Sequence, residues 1–217
     1  MNDGSKKIDL STYPREKVFK YFNSYANPLW TLNFELKVKN FLPYCVKEKN
    51  VFGFQFFLYC LCSAMKDIPE FMMRVRGNEL VIHKKMFPSY AVTRKDDSIN
   101  FAAFEYSDDF SIFMQRSLEA KKKAEDINDI VSEGEKSDYY VFLTHLSWMS
   151  FHSFQHPVMD FKNFSIPSFA FGKYIVDGKW LKISTSVQTH HALVDGIHIQ
   201  QLIKKTNEKI DFMLSSK

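Results

Sequence analysis

Histidine is the side chain best suited to take a proton near neutral pH, and this chain gathers three of its seven in one short stretch. The segment reads Gln188-Thr-His190-His191-Ala-Leu-Val-Asp195-Gly196-Ile-His198. On the strand-like run before it, Ile183, Thr185, Val187, Thr189 and His191 fall on one face, and Gln188 and His190 on the other. His190 and His191 therefore cannot act as an adjacent pair. A histidine at a strand end beside a turn, with an unperturbed pKa of about 6.5, suits general base work. A carboxylate four residues on could hold the imidazole, pair with a cation or orient the turn. Two other readings stand beside this one. In the first, both histidines and the aspartate are structural. In the second, His191, Asp195 and His198 bind a metal, although their spacing fits no common zinc motif and no fourth ligand is evident.

Such residues need elements to hold them. Leu32, Phe34, Leu36 and Val38 alternate with Asn33, Glu35, Lys37 and Lys39, the period of a half-buried strand. Strands are also expected over 73–75 and 80–82, around a turn at Arg76-Gly77-Asn78-Glu79. Others are expected over 90–93, 101–104, 140–145, 168–171, 174–176 and 181–189, with Asp177-Gly178 as a hairpin turn. Helices are expected over 14–22, 51–65, 107–124 and 199–214. In the last, Ile199, Leu202, Ile203, Ile210 and Met213 form one stripe. Residues 121–137 are almost wholly charged or small but too few for a domain boundary. The pattern predicts one α/β domain over residues 1–217, in two layers, with helices packed on a large mixed sheet that is partly antiparallel.

Composition narrows the function. With 217 residues, 45% hydrophobic, 16% aromatic and only seven glycines and seven prolines, the chain buries a sizeable core and is neither disordered nor fibrous. A net charge of +4 is mild, and Lys121-Lys122-Lys123 is answered by Glu125, Asp126, Asp129, Glu133 and Glu135. No nucleic-acid partner is expected. Cys45, Cys60 and Cys62 lack metal-ligand spacing, and Cys60-Leu-Cys62 lies in an apolar run, which points to a reducing compartment. The N-terminal residues lack the apolar stretch of a signal peptide, and the run over 51–65 is too short to span a bilayer. A cytoplasmic protein without a membrane partner is expected.

His-His-x-x-x-Asp-Gly closing a strand resembles the active-site signature of the CoA-dependent acyltransferases. Other stretches narrow the likeness to the chloramphenicol acetyltransferases: Pro69-Glu-Phe-Met-Met-Arg-Val-Arg, Phe87-Pro-Ser-Tyr, Glu105-Tyr-Ser-Asp-Asp-Phe110, Ser147-Trp-Met-Ser-Phe-His-Ser-Phe154 and Phe171-Gly-Lys-Tyr174. The likeness runs from about Tyr13 to Met213. A dehydrogenase-complex acyltransferase would add a lipoyl domain, and a peptide-synthetase condensation domain would be about twice as long.

The resemblance implies an acetyl-CoA-dependent O-acetyltransferase, with chloramphenicol as the leading acceptor. It implies no bound cofactor and no metal, with acetyl-CoA as co-substrate. His191 matches the base that removes the proton of the acceptor hydroxyl. Thr144, four residues before Trp148, stands where the family has a serine that stabilises the oxyanion. Asp195 matches a structural aspartate, and Arg15 the arginine that pairs with it, expected as a buried pair. His190 is expected to pack or hydrogen-bond. Phe22, Trp30, Phe101, Phe104 and Phe154 fall at acceptor positions, and Trp148 and Tyr174 at CoA positions. The resemblance further implies a homotrimer with active sites at subunit interfaces, the histidine coming from one subunit and much of the acceptor pocket from its neighbour. Thr189, Val194 and Ile197 depart from the usual residues around the motif. Phe22, Pro28, Trp30 and His156 depart in the acceptor pocket. The alternatives are a family acyltransferase with another hydroxylated acceptor, or a non-catalytic relative that binds CoA or a hydrophobic ligand.

Overall fold

The computed structural model describes residues 4–127, 129–130 and 137–216. Glu133 and Glu135 lie outside the described residues. In chain order the elements are β1 (Lys6–Ile8), α1 (Glu16–Asn23), β2 (Leu29–Lys39), α2 (Leu42–Tyr44), α3 (Gly53–Lys66), α4 (Pro69–Met72), β3 (Met73–Arg76) and β4 (Glu79–Ile82). They continue with β5 (Phe87–Thr93), β6 (Ile99–Ala103), α5 (Phe110–Asp126), β7 (Tyr140–His145), β8 (Ser168–Asp177), β9 (Trp180–His190) and α6 (Gly196–Ser215). Six strands form a mixed sheet in the order β2-β9-β8-β7-β5-β6, and β1, β4 and β3 form a second, small sheet. The mixed α/β architecture is the expected one.

The alternation at residues 32–38 extends to eleven residues paired antiparallel with β9. Gly178 takes φ +58 in the β8–β9 hairpin, a conformation that costs other residues strain. β8 is one strand rather than two, with a bulge between Phe171 and Tyr174. The closing helix of the hairpin region, α6, starts at Gly196. Helix α5 starts later than the pattern suggests because the Asp109 side chain caps it, accepting from the Ser111 and Ile112 amides. Pro69 does not merely end α3; it opens the one-turn α4.

The two faces of the large sheet differ in chemistry. Phe34, Leu36, Phe169, Phe171, Thr185 and Val187 face α3 and α6 around a small apolar cavity that also touches Leu61, Ile199 and Leu202. Helix α3 is buried almost all round, Cys60 and Cys62 included, and burial pushes both thiols up, away from reactivity. On the opposite face Thr144, Ala170 and Ser186 lie side by side in register, and Phe142, Ser168 and Gln188 form the next row. The segment 146–167 covers part of this polar face. Ser186 Oγ donates to the Phe154 carbonyl at 2.7 Å, and the His156 amide donates to Gln188 Oε1 at 3.0 Å.

Candidate active site

His191 falls just past β9, in the turn that leads to α6. Its backbone amide donates to the Pro28 carbonyl at 2.9 Å, which pins the turn to the start of β2. Its ring stacks on Phe22 of α1 (centroids 3.9 Å apart) and on Trp30 of β2 (4.9 Å). Trp30 is itself fixed, because its indole N–H donates to the Val194 carbonyl at 2.9 Å. Nδ1 is enclosed and lies 3.0 Å from Asp195 Oδ1, without the alignment of a hydrogen bond. The side chain as a whole is about one-third exposed, so Nε2 is the nitrogen left to meet an acceptor. Two aromatic rings and a carboxylate thus fix the orientation of the imidazole.

Arg15, just before α1, holds the other end of the turn. Its guanidinium pairs with Asp195 Oδ2 and donates to the Leu193 carbonyl. The predicted partnership is present, but the pair is not buried: the side chains keep 19% and 32% of their exposure. His190, on the opposite face, is buried. Its Nδ1 accepts the Ala192 amide at 3.2 Å, and burial holds its pKa down to about 4. The metal reading finds no support in the geometry. His198 Nδ1 is occupied by the Asp195 amide, and among the described residues no group of three or more histidine, cysteine, aspartate or glutamate side chains could hold a metal ion.

Thr144 is elsewhere. It lies on β7, opposite Ala170 of β8, and Ala170 lies opposite Ser186 of β9. His191 is five residues beyond Ser186 and two strands across, which puts the two Cα atoms roughly 19 Å apart within one chain. The faces differ as well. Thr144 lies on the polar face, whereas Trp30, in register with Thr189, shares the helix-covered face. One chain does not bring His191 and Thr144 together.

A family profile described as chloramphenicol acetyltransferase matches residues 3–207. The chain belongs to the chloramphenicol acetyltransferase family. It is 28% identical to a chloramphenicol acetyltransferase of Escherichia coli, covering 96% of this chain and 94% of that protein. With one of Proteus mirabilis it shares 25%, at 94% of both chains. A solved chloramphenicol acetyltransferase superposes with TM-score 0.85 at 20% identity, over 95% of this chain and 99% of that one. The Azotobacter vinelandii dihydrolipoamide acetyltransferase superposes at 0.65 with 14% identity, covering 90% and 86%. Membership makes the chain an acyltransferase.

Against this background the remaining positions separate. Phe22 and Trp30 join His191, as above. Phe154 lies over the polar face, where its amide donates to Asn33 Oδ1 at 3.1 Å and its ring meets Phe151 and His156. Phe104 is buried beneath α5, against Phe113 and Tyr90. Phe101 is on β6, at the far edge of the sheet from β2. Within one chain neither of these two can reach His191. Trp148 is 67% exposed in the turn after β7. That turn is seated on Gly172, where an added Cβ would come 2.9 Å from the Met149 carbonyl oxygen. Tyr174 turns the other way: its ring packs against Phe41, Phe57 and His145, its hydroxyl is enclosed, and burial pushes its pKa up. Sequence reasoning passed over Glu70, which lies 3.6 Å from His198 Nε2. The only signal for it was an acidic residue in the first turn of a helix too short to show a period.

Proposed function

We infer that the protein transfers the acetyl group of acetyl-CoA directly to a hydroxyl of chloramphenicol, with His191 as general base. The observation that carries this reading is an imidazole stacked on Phe22 and Trp30, with Nδ1 enclosed beside the Asp195 carboxylate and the side chain still about one-third exposed. Nε2 takes the proton of the acceptor hydroxyl as the oxygen attacks the thioester carbonyl. A thioester is already an activated acyl donor, so no enzyme nucleophile is required. The carbonyl oxygen becomes an oxyanion that the Thr144 hydroxyl stabilises. Collapse breaks the C–S bond, and the imidazolium returns its proton to the leaving thiolate. Asp195 and Arg15 fix the turn that carries the base. Trp148 serves the CoA side, whereas Tyr174 packs inward against Phe41 and Phe57 and supports the core instead. Phe22, Trp30, Phe101, Phe104 and Phe154 serve the acceptor side.

Because base and donor are far apart in one chain, each site takes His191 from one subunit and Thr144 from a neighbour in a homotrimer. Each subunit is one acyltransferase domain, and the assembly works in the cytoplasm without a resident cofactor. Among the described residues no helix is long and apolar enough to cross a membrane. A second hydroxylated acceptor is favoured by one observation: His156, whose ring lies edge-on to Phe154, puts an imidazole beside one of the proposed acceptor residues. Thiol release from acetyl-CoA, followed with chloramphenicol and with a panel of other alcohols, tests both. His191→Ala should lower turnover by about 10²–10⁴. Release that is independent of acceptor, or a variant that keeps a tenth of the activity, would overturn the assignment.

A further inference from the structure

A polar cluster surrounds the start of α6, and two of its members, His198 and Glu70, have no part in the chemistry described so far. His198 stands three residues after Asp195. Its Nδ1 accepts the Asp195 amide at 2.8 Å, while the Asp195 carbonyl accepts the His198 amide at 3.0 Å. The side chain three residues on, reaching back to the N-cap amide, is the return half of a capping box, where glutamate or glutamine normally stands. An accepting Nδ1 fixes the tautomer, so the neutral ring carries its proton on Nε2. That nitrogen faces Glu70 Oε1 of α4 at 3.6 Å. Tyr13 and Arg15 complete the cluster. Burial holds the His198 imidazole below its usual range against the opposing pull of Glu70, which keeps Nδ1 free to accept near neutral pH.

We propose that His198 is a positioning residue for the base: oriented by Glu70, it fixes the Asp195 backbone and through it the carboxylate beside His191 Nδ1. The inference rests on the reading of His191 as the base. Arg15 draws on Oδ2, and Oδ1 is presented to His191 only while the Asp195 backbone keeps its extended φ −113, ψ 175. The Asp195 amide is the handle for that conformation, and His198 Nδ1 is its partner.

Wild type, His198→Leu and His198→Gln decide the matter. Glutamine has the acceptor of an ordinary capping box, whereas leucine fills the space without one. Because a small misplacement of a catalytic group costs rate, His198→Leu should lower kcat by at least about tenfold with both KM values within about twofold. His198→Gln should recover to within about threefold of wild type. Amide hydrogen exchange over residues 193–198, measured without substrate, should be faster in the leucine variant and near wild type in the glutamine variant. Equal losses in both variants, or a leucine variant with unchanged kcat or unchanged exchange, would overturn the proposal. If wild type releases no thiol with any acceptor, the reading of His191 fails by itself, and the exchange comparison still decides whether His198 holds Asp195. If the leucine variant does not fold, Glu70→Gln takes its place: a fall in kcat with KM kept supports the proposal, and unchanged kcat overturns it.

Discussion

Thr144 is a demanding residue to propose as an oxyanion donor, because a threonine in a strand has an ordinary structural explanation. Its β-branch suits the strand and stiffens χ1, so a donor there loses little entropy on being aimed. The methyl needs room, and its register neighbour across the ladder is the small Ala170. One well-aimed donor to such an oxygen is worth about 2.7–4 kcal/mol. Thr144→Ser should therefore keep most of the turnover. Thr144→Val, which keeps the shape and loses the hydroxyl, should lose about 10²-fold or more with little change in KM. Equal activity of the threonine and valine forms would remove the role. At this scale the sequence was informative about identity but silent about surroundings. The motif singles out His191, yet nothing in the spacing places Phe22 and Trp30 on its ring, because they come from elements near the other end of the chain and stacking leaves no periodic trace.

Between elements, Arg15 and Asp195 tie the start of α1 to the start of α6, with the Leu193 carbonyl as a third point. A fully buried pair broken from one side costs about 3–5 kcal/mol, but partial exposure lets water reach whichever charge is stranded. Asp195→Asn and Arg15→Ala should each lower stability by about 1–3 kcal/mol in denaturant unfolding, and thiol release should fall with them. An Asp195→Asn protein of unchanged stability that has lost only turnover would assign the carboxylate a direct part in the chemistry. The elements that carry these residues were legible where they are long and one-sided. The alternation in β2 and the stripe on α6 show clearly. β1, with the sequence Lys-Lys-Ile, and the single turn α4 do not, since three or four residues cannot display a period. Strand β9 is buried on both faces near its end, so its last residues lose the apolar–polar contrast, and the strand runs to His190, one residue past the expected end.

The whole molecule carries three histidines, His145, His156 and His190, that burial pushes down to about 4. In the unfolded chain each titrates at about 6.5, so between those values the native state binds fewer protons than the unfolded one. Stability is therefore full above about pH 6.5 and falls as the pH drops toward about 4. Urea midpoints measured at pH 7.5 and pH 5 should show the loss, and equal midpoints would mean that these rings are not enclosed in solution. The largest question at this scale is how base and donor meet. In one chain they stand roughly 19 Å apart on different faces of the sheet, too far for a single acceptor to touch both. In the proposed trimer, a closed ring of identical subunits would pair His191 of each with Thr144 of the next. Two inactive proteins then become diagnostic. His191→Ala lacks the base but keeps the donor, and Thr144→Val lacks the donor but keeps the base. Mixed assemblies, made by co-expression or joint refolding, contain interfaces where the valine variant supplies histidine and the alanine variant supplies threonine. Random association at equal amounts gives such an interface at about a quarter of the positions, and activity should return to about that fraction of wild type. Each variant refolded alone should stay inactive. A mixture no more active than its parts would mean that each site is built within one chain, and that an oxyanion donor other than Thr144 stands close to His191.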